Sequence, residues 1–442
     1  MSEVPQSESP RSEPFRSEPF RSGPRPEPGP RPGTPPAQPE TPVRRRKVFY
    51  IPGYDPFHPR RYRELYRKEA AAQSAVTGDR IELSPRAAGG RYGWHVRGVI
   101  EGVGTEAGFE VLVWSDIVRA SMAQGVAATY LQLLRAAWVY FGSGAFFPLM
   151  RLRKGPLLAT LYPVAMLLGQ LALALVLGRG LMRGLALVVP LPLAAVAGLV
   201  LAVLVLRWFK RHDNRLFAYY LMHDFAFIAR DHGRPPPELD ARIAEFRAAI
   251  REALTPDTDE VLVVGHSSGA QIAVSVLAGL MREGLPERRE GVRRPALSLL
   301  TLGQVIPMAS FLPGAGQLRA DLREMSAQDD IPWVDVSAPG DGCSFALCDP
   351  VAVTGVAPEG KRWPLVISAA FTQTLSPERW KALRWRFFRL HFQYLCAFDR
   401  PGDYDYFRIT AGPRTLGARF AGRAPSKSRI EIPLNRHPGL AA

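Results

Sequence analysis

Cysteine is scarce in this chain of 442 residues, which contains only Cys343, Cys348 and Cys396. So low and odd a number argues against a disulfide framework and fits a reducing compartment. Cys343 and Cys348 have no second pair to complete a metal clip, so all three read as ordinary thiols and no metal or other cofactor is expected. Acidic residues are in deficit: 41 Asp and Glu face 56 Lys and Arg, a formal net charge of +15. Such an excess asks for an anionic partner, either nucleic acid or a phospholipid surface. No finger, homeodomain or aromatic RNA-binding signature is present, so the expected partner is membrane lipid, with no nucleic acid. The first residues lack an apolar h-region, and no signal peptide is expected. Residues 1–46 nearly lack aliphatic side chains. They are rich in Pro, Ser, Glu and Arg and repeat Ser12-Glu13-Pro14-Phe15-Arg16 at Ser17-Glu18-Pro19-Phe20-Arg21. Such a segment cannot bury enough surface to offset its ordering entropy, which predicts a disordered tail.

Two stretches, 157–177 and 185–206, contain no charge at all. About 20 apolar residues cross the hydrocarbon core of a bilayer, so each is sufficient, and the pair reads as a transmembrane hairpin. The connector 178–184 reads as a tight turn. Pro163, Pro190 and Pro192 can kink the spans, while Gly169 and the Ala194/Gly198 pair permit close helix contact. The alternative is two buried core helices, which are usually shorter and carry a polar face. Arg151, Arg153 and Lys154 precede the hairpin, and Arg207, Lys210, Arg211 and Arg215 follow it; only Arg179 and Arg183 lie in the turn. The positive-inside rule then puts both termini in the cytoplasm, as in a two-span protein of the cell inner membrane.

Around the hairpin the pattern is that of an α/β fold. Val48-Phe49-Tyr50-Ile51 reads as a buried strand, followed by a helix from about Pro59. Residues 109–114 read as another strand, with a helical pattern to about Phe141. Leu239, Ile243, Phe246, Ile250 and Leu254 share one face of a helix. Strands are expected at 261–264, 297–302, 333–336 and 365–368, and a helix from Ala270 to Met281. Alternating strands and helices imply a doubly wound, mostly parallel sheet. The expected division is a tail, 1–46; a first catalytic part, 47–141; the membrane insertion, 142–215; a second catalytic part, 216–425; and a C-terminal tail, 426–442.

One motif carries chemistry. Gly265-His266-Ser267-Ser268-Gly269 fits G-x-S-x-G between a buried strand and a small-residue helix, the context of a nucleophile elbow. In this the chain resembles the α/β-hydrolase superfamily, and within it the serine lipases and esterases, over about residues 47–115 and 235–398. The resemblance implies Ser267 as nucleophile and the chain order nucleophile, acid, histidine. Two histidines follow Ser267. His437 lies close to the end of the chain, which leaves His391, in Leu390-His391-Phe392-Gln393-Tyr394, as the base expected about 3 Å from Ser267 Oγ. Its alternative is a structural histidine on a helix, because 377–397 looks helical throughout whereas the family's histidine usually stands on a loop.

The acid should follow the strand at 331–336, and Asp341 in Ala338-Pro339-Gly340-Asp341-Gly342 is the candidate; Asp335 and Asp349 are weaker, and a plain turn residue is the alternative. The oxyanion hole implied by the family would use the N–H groups of Tyr54, after Gly53, and of Ser268. His266 reads as packing. His223, Asp224, Asp231 and His232 lack the spacing of metal ligands. The run 379–389, with Lys381, Arg384, Arg386 and Arg389 among Trp380, Trp385, Phe387 and Phe388, fits either a helix on an anionic bilayer or a core helix with snorkelling arginines. The expected function is a membrane-anchored serine hydrolase of acyl esters, with an acyltransferase as a variant of the same chemistry. A different class, a catalytically inactive hydrolase-like scaffold on the membrane, depends on whether Ser267, His391 and Asp341 converge.

Overall fold

A computed structural model describes residues 41–86, 89–285 and 294–441. The expected tail therefore lies almost wholly outside the described residues. Strand β1 (Arg45–Ile51) begins two residues before the expected boundary. The reason is Arg46, whose Nε meets Glu260 Oε2 at 2.7 Å with both side chains fully buried. A basic run that reads as solvated thus ends inside the sheet, because its charge is matched.

Helix α1 (Arg60–Thr77) is followed by the strands β2 (Arg80–Pro85), β3 (Gly93–Ile100) and β4 (Val103–Val111). Then come α2 (Ser115–Met122), α3 (Val126–Gly142), α4 (Phe146–Leu152), α5 (Lys154–Leu185), α6 (Leu191–Arg211), α7 (Asp213–Leu216), α8 (Ala218–Ala229) and α9 (Pro237–Ala253). The remainder alternates: β5 (Glu260–His266), α10 (Gly269–Arg282), β6 (Ala296–Leu302), α11 (Ile306–Ser310), α12 (Gly316–Ala327), β7 (Trp333–Ser337), α13 (Pro350–Val353) and β8 (Leu365–Ser368). Short helices α14 (Phe371–Thr374), α15 (Pro377–Leu383) and α16 (Phe387–His391) follow.

One eight-stranded sheet runs β2-β3-β4-β1-β5-β6-β7-β8. It is mixed but mostly parallel: β4, β1, β5, β6, β7 and β8 run together, and β3 is antiparallel to β2 and β4. Both faces are covered. Along β5, Val261 and Val263 join the core on one side, while Leu262 and Val264 join the core on the other. This is why the strand reads as an uninterrupted apolar run. Loops leaving the C-terminal ends of parallel strands converge there, the usual place for a site in such sheets.

Helices α5 and α6 are long and apolar enough to cross a membrane. Only 28% and 17% of their most apolar windows are buried, whereas a core helix would be mostly covered. The turn is displaced from the expected 178–184: α5 continues to Leu185, and the chain reverses at 186–190. Glycine weakens a helix by only about 1 kcal/mol per residue, so three glycines do not stop it. Pro190, with fixed φ and no N–H to donate, instead sets the start of α6. The close contact pairs Gly198 with Gly178 rather than with Gly169; a Cβ on either would lie 2.5 Å from the other's carbonyl oxygen. The segment 426–441 is likewise no free tail. Ile430 bridges Cys348, and Asn435 Nδ2 donates to the carbonyls of Thr354 and His437 at 3.1 and 3.0 Å.

Candidate active site

Ser267 occupies the turn between β5 and α10 with φ 56°, in the left-handed region that non-glycine residues avoid. Such a conformation costs on the order of 1–3 kcal/mol and persists only where its surroundings enforce it. Here they do. Ser267 N–H donates to Leu302 O at 2.9 Å, tying the turn to β6. A Cβ on Gly265 would lie 2.7 Å from Ala270 Cα, and one on Gly269 would lie 2.2 Å from Ile51 O. Both glycines of the motif are therefore demanded by close backbone approach. A third, Gly53, lets the loop after β1 cross Ser267: its Cβ would lie 2.8 Å from Ser267 Cβ.

Asp341 stands in the turn after β7 and is 2% exposed, so its carboxylate depends wholly on protein partners. Oδ1 accepts from Cys343 N–H at 2.9 Å. Oδ2 accepts from the Tyr394 hydroxyl at 3.0 Å and from His391 Nδ1 at 2.8 Å. Burial pushes this carboxyl upward, but the charge and hydrogen bond of His391, together with the Cys343 N–H and the Ser344 hydroxyl, hold Asp341 below its ordinary value. A carboxylate accepts only, so His391 donates from Nδ1 and turns Nε2 away from Asp341. Gly303, at φ +52°, makes the room: a Cβ there would lie 2.7 Å from the Tyr394 ring and 3.0 Å from His391 Cε1.

The expected continuous helix over 377–397 is not formed. It breaks between α15 and α16, and a 3-10 turn, Phe392–Leu395, follows His391. His391 thus sits at the end of a five-residue helix and reaches Asp341. The hydrogen bond expected from Ser267 Oγ to His391 is not made: Nε2 is enclosed and has no partner among the described residues. Both residues nevertheless line one cavity of about 1300 Å³, together with Gly53, Tyr54 and His266. The Tyr54 side chain is pinned at its hydroxyl, 2.5 Å from Ser121 Oγ, and its carbonyl accepts from the Tyr220 hydroxyl. Ser268 is buried at the start of α10.

The other candidates are accounted for by local bonding. Asp335 accepts from Thr301 Oγ1 at 2.6 Å inside the sheet, and Asp349 caps α13 while pairing with Lys361. His437 Nε2 lies 2.8 Å from Ser143 O, and His223 Nδ1 lies 2.8 Å from Gln132 Oε1. In the 379–389 run, Trp385 is 72% exposed, whereas Phe388 packs on Phe217 with ring centroids 4.6 Å apart. The run therefore has one face against the protein and one outside it.

Asp341, Cys343 and His391 bring ligand-type atoms within 4.8 Å of one another, a spacing that could hold a metal ion. Burial raises the Cys343 thiol well above its ordinary value, however, and the Asp341 oxygen and His391 nitrogen already bond each other. The donor set suits an oriented imidazole better than an ion. Sequence reasoning missed Tyr394, Gly303 and Asp224 as members of this site; only the nearness of Tyr394 to His391 was a signal. No family model, curated protein or solved structure matches this chain.

Proposed function

We propose that this chain is a serine hydrolase of the α/β-hydrolase type. One observation carries the reading: His391, oriented through Nδ1 by Asp341, leaves its Nε2 without a partner beside a cavity that Ser267 also lines from a strained elbow. The chain order serine, aspartate, histidine agrees with that superfamily. In the reaction, Nε2 takes the Ser267 hydroxyl proton as Oγ attacks the ester carbonyl. The tetrahedral oxyanion is received by the N–H groups of Ser268 and Tyr54, and the alcohol leaves with the proton from His391. Water then repeats the sequence on the acyl-enzyme and releases the carboxylic acid. The reaction requires the Ser267–His391 hydrogen bond to form in the substrate complex.

More particularly, the reading is of a membrane-anchored hydrolase of acyl esters that reside at the inner face of the cell membrane. Helices α5 and α6 would be its transmembrane hairpin, with both termini cytoplasmic. Support comes from the cavity lining, which includes Pro156, Ala159 and Thr160 at the start of α5 and Lys210 at the end of α6. A lipid leaving the bilayer beside the hairpin would meet the cavity at once.

The decisive test is fluorophosphonate labelling of membranes carrying the wild type or Ser267→Ala. Labelling confined to the wild type is expected; no labelling, or equal labelling of both, overturns the proposal. A second reading, an inactive hydrolase-like membrane scaffold, is favoured by the unmade Ser267–His391 bond and predicts no labelling at all. For the lipid substrate, long-chain esters in anionic vesicles should be cleaved faster than short soluble esters; absence of a gain restricts the hairpin to anchoring.

A further inference from the structure

Asp224, on α8, lines the cavity that Ser267 and His391 share. Its Oδ1 is enclosed and has no hydrogen-bond partner among the described residues. An enclosed carboxyl oxygen without a partner is costly, and proteins retain few of them. The mechanism proposed above does not use this group.

Its surroundings define what could satisfy it. The titratable groups close enough to act on it electrostatically are His391 on α16, Tyr54 in the loop after β1, Tyr140 on α3, Tyr220 on α8 itself and Cys343 in the turn after β7. Burial raises every one of these phenols and the thiol, so they stay neutral. Burial likewise raises Asp224, to about 7, against a smaller downward pull from His391. Arg61, Lys68, Lys210, Arg379 and Arg389 line the same cavity, as do Asp55, Glu64, Glu69 and Asp213, so the lining carries both signs. A carboxyl kept neutral by burial offers a cation no charge to meet, and the partner that fits it is an uncharged polar group. A neutral carboxyl offers one O–H donor and acceptor capacity, which matches a hydroxyl or ether oxygen. An acyl chain has no such group; the alcohol portion of an ester can.

Resting on the hydrolase reading for its ester substrate, we propose that Asp224 is the specificity residue of this cavity. It hydrogen-bonds an uncharged oxygen on a polyol alcohol portion, as in a monoacylglycerol. The acyl carbonyl would lie at Ser267 and the glycerol hydroxyls toward α8.

The test is binding, so it reads out even if Ser267 proves unreactive. Full-length Ser267→Ala protein in detergent is titrated with dodecylglycerol ether, dodecanol and dodecylamine, alone and combined with Asp224→Asn or Asp224→Leu. At pH 6 the glycerol ether should bind at least about tenfold tighter than dodecanol, the value of a satisfied buried hydrogen bond. Asp224→Leu should erase that preference, and Asp224→Asn, which keeps a donor and an acceptor, should retain it. The preference should change as pH rises through about 7 in the Asp224 protein, where the carboxyl loses its donor and becomes a charged acceptor, and stay flat in Asp224→Asn. Equal affinities for ether and alcohol, or a preference untouched by Asp224→Leu, overturn the proposal. Tightest binding of dodecylamine, increasing with pH, overturns it in favour of a cation site. Should Asp224→Leu fail to fold, a pH-dependent preference in Asp224→Asn is itself sufficient to reject it.

Discussion

The imidazoles of His266 and His391 stack with centroids 4.8 Å apart and planes 25° from parallel. His266 Nε2 also lies 3.1 Å from the backbone carbonyl of His391, and its Nδ1 lies 3.1 Å from the Tyr50 hydroxyl. The second residue of the elbow motif therefore packs on the ring of the candidate base and is tied to its backbone. Under the proposed reaction it acts through His391, as a positioning residue.

His266 makes a pH prediction. Burial, with the nearby His391 adding to it, lowers its folded-state value from 6.5 to about 3. Below about 6.5 the unfolded chain binds a proton that the folded protein refuses, so stability falls as pH drops from about 6.5 toward about 3. The slope approaches about 1.4 kcal/mol per pH unit for one such group. Urea midpoints of wild type and His266→Gln, measured across this range in detergent, should converge at low pH. Parallel curves would show that His266 is not the group responsible.

Asp341 and Asp335 should separate cleanly. Asp341→Asn removes the acceptor that orients His391 and should lower kcat on the order of 10³–10⁴-fold with the fold retained. Tyr394→Phe, which removes one bond to the same oxygen, should cost about tenfold. Asp335 is raised by burial from 3.8 to about 8. A carboxyl raised on folding stabilises fully below its unfolded value, and that contribution is lost as pH rises through the window to about 8. Asp335→Asn should leave kcat near wild type and flatten the decline in stability between pH 3.8 and about 8. A large kcat loss in Asp335→Asn instead would transfer the acid role to β7.

Much of this site was legible because it follows from local rules. The elbow is a contiguous motif whose glycines are each required by a close approach. The acid follows from its place beyond a parallel strand, and the apolar run 261–264 announced the central strand. What the residue pattern left unassigned is non-local. Tyr394 meets Asp341 across 53 positions, and Gly303 and Asp224 act on His391 across longer separations still. The β2–β3 pair was missed because its edge alternation is diluted by charge, as in the exposed Arg80 and Glu82 beside the half-buried Ile81 and Leu83. The helical reading of 377–397 failed because tertiary packing of Phe388 on Phe217 and Tyr220 overrides propensity at Arg384–Arg386.

Gly303 offers a test of crowding independent of any titration. Its φ of +52° and the 2.7 Å approach to Tyr394 both penalise a side chain. Gly303→Ala should lower stability by about 1–3 kcal/mol, and kcat should fall more than that loss explains, because His391 Cε1 lies in the way. A thermal melt and a kcat equal to wild type would mean that the His391–Asp341 pair tolerates displacement.

The displaced turn changes where topology should be probed. With the chain reversing at 186–190, a reporter inserted beside Val188 should read external, and a reporter at the C-terminus should read cytoplasmic. Val188 is 79% exposed and Leu187 85%, so an insertion there disturbs little packing. The hairpin contact is made by Gly178 and Gly198, whose backbones meet too closely for any side chain. In a bilayer no hydrophobic force joins two helices, so such close packing supplies the contact. Gly198→Leu should therefore splay α5 from α6 and lower a disulfide cross-link yield between cysteines placed at the buried alanine positions 174 and 202, in a background with Cys343, Cys348 and Cys396 replaced. Both reporters should keep their assignments in that variant, since the charged flanks set orientation. An undiminished cross-link would refute the glycine contact, and an external C-terminal reporter in the wild type would refute the orientation.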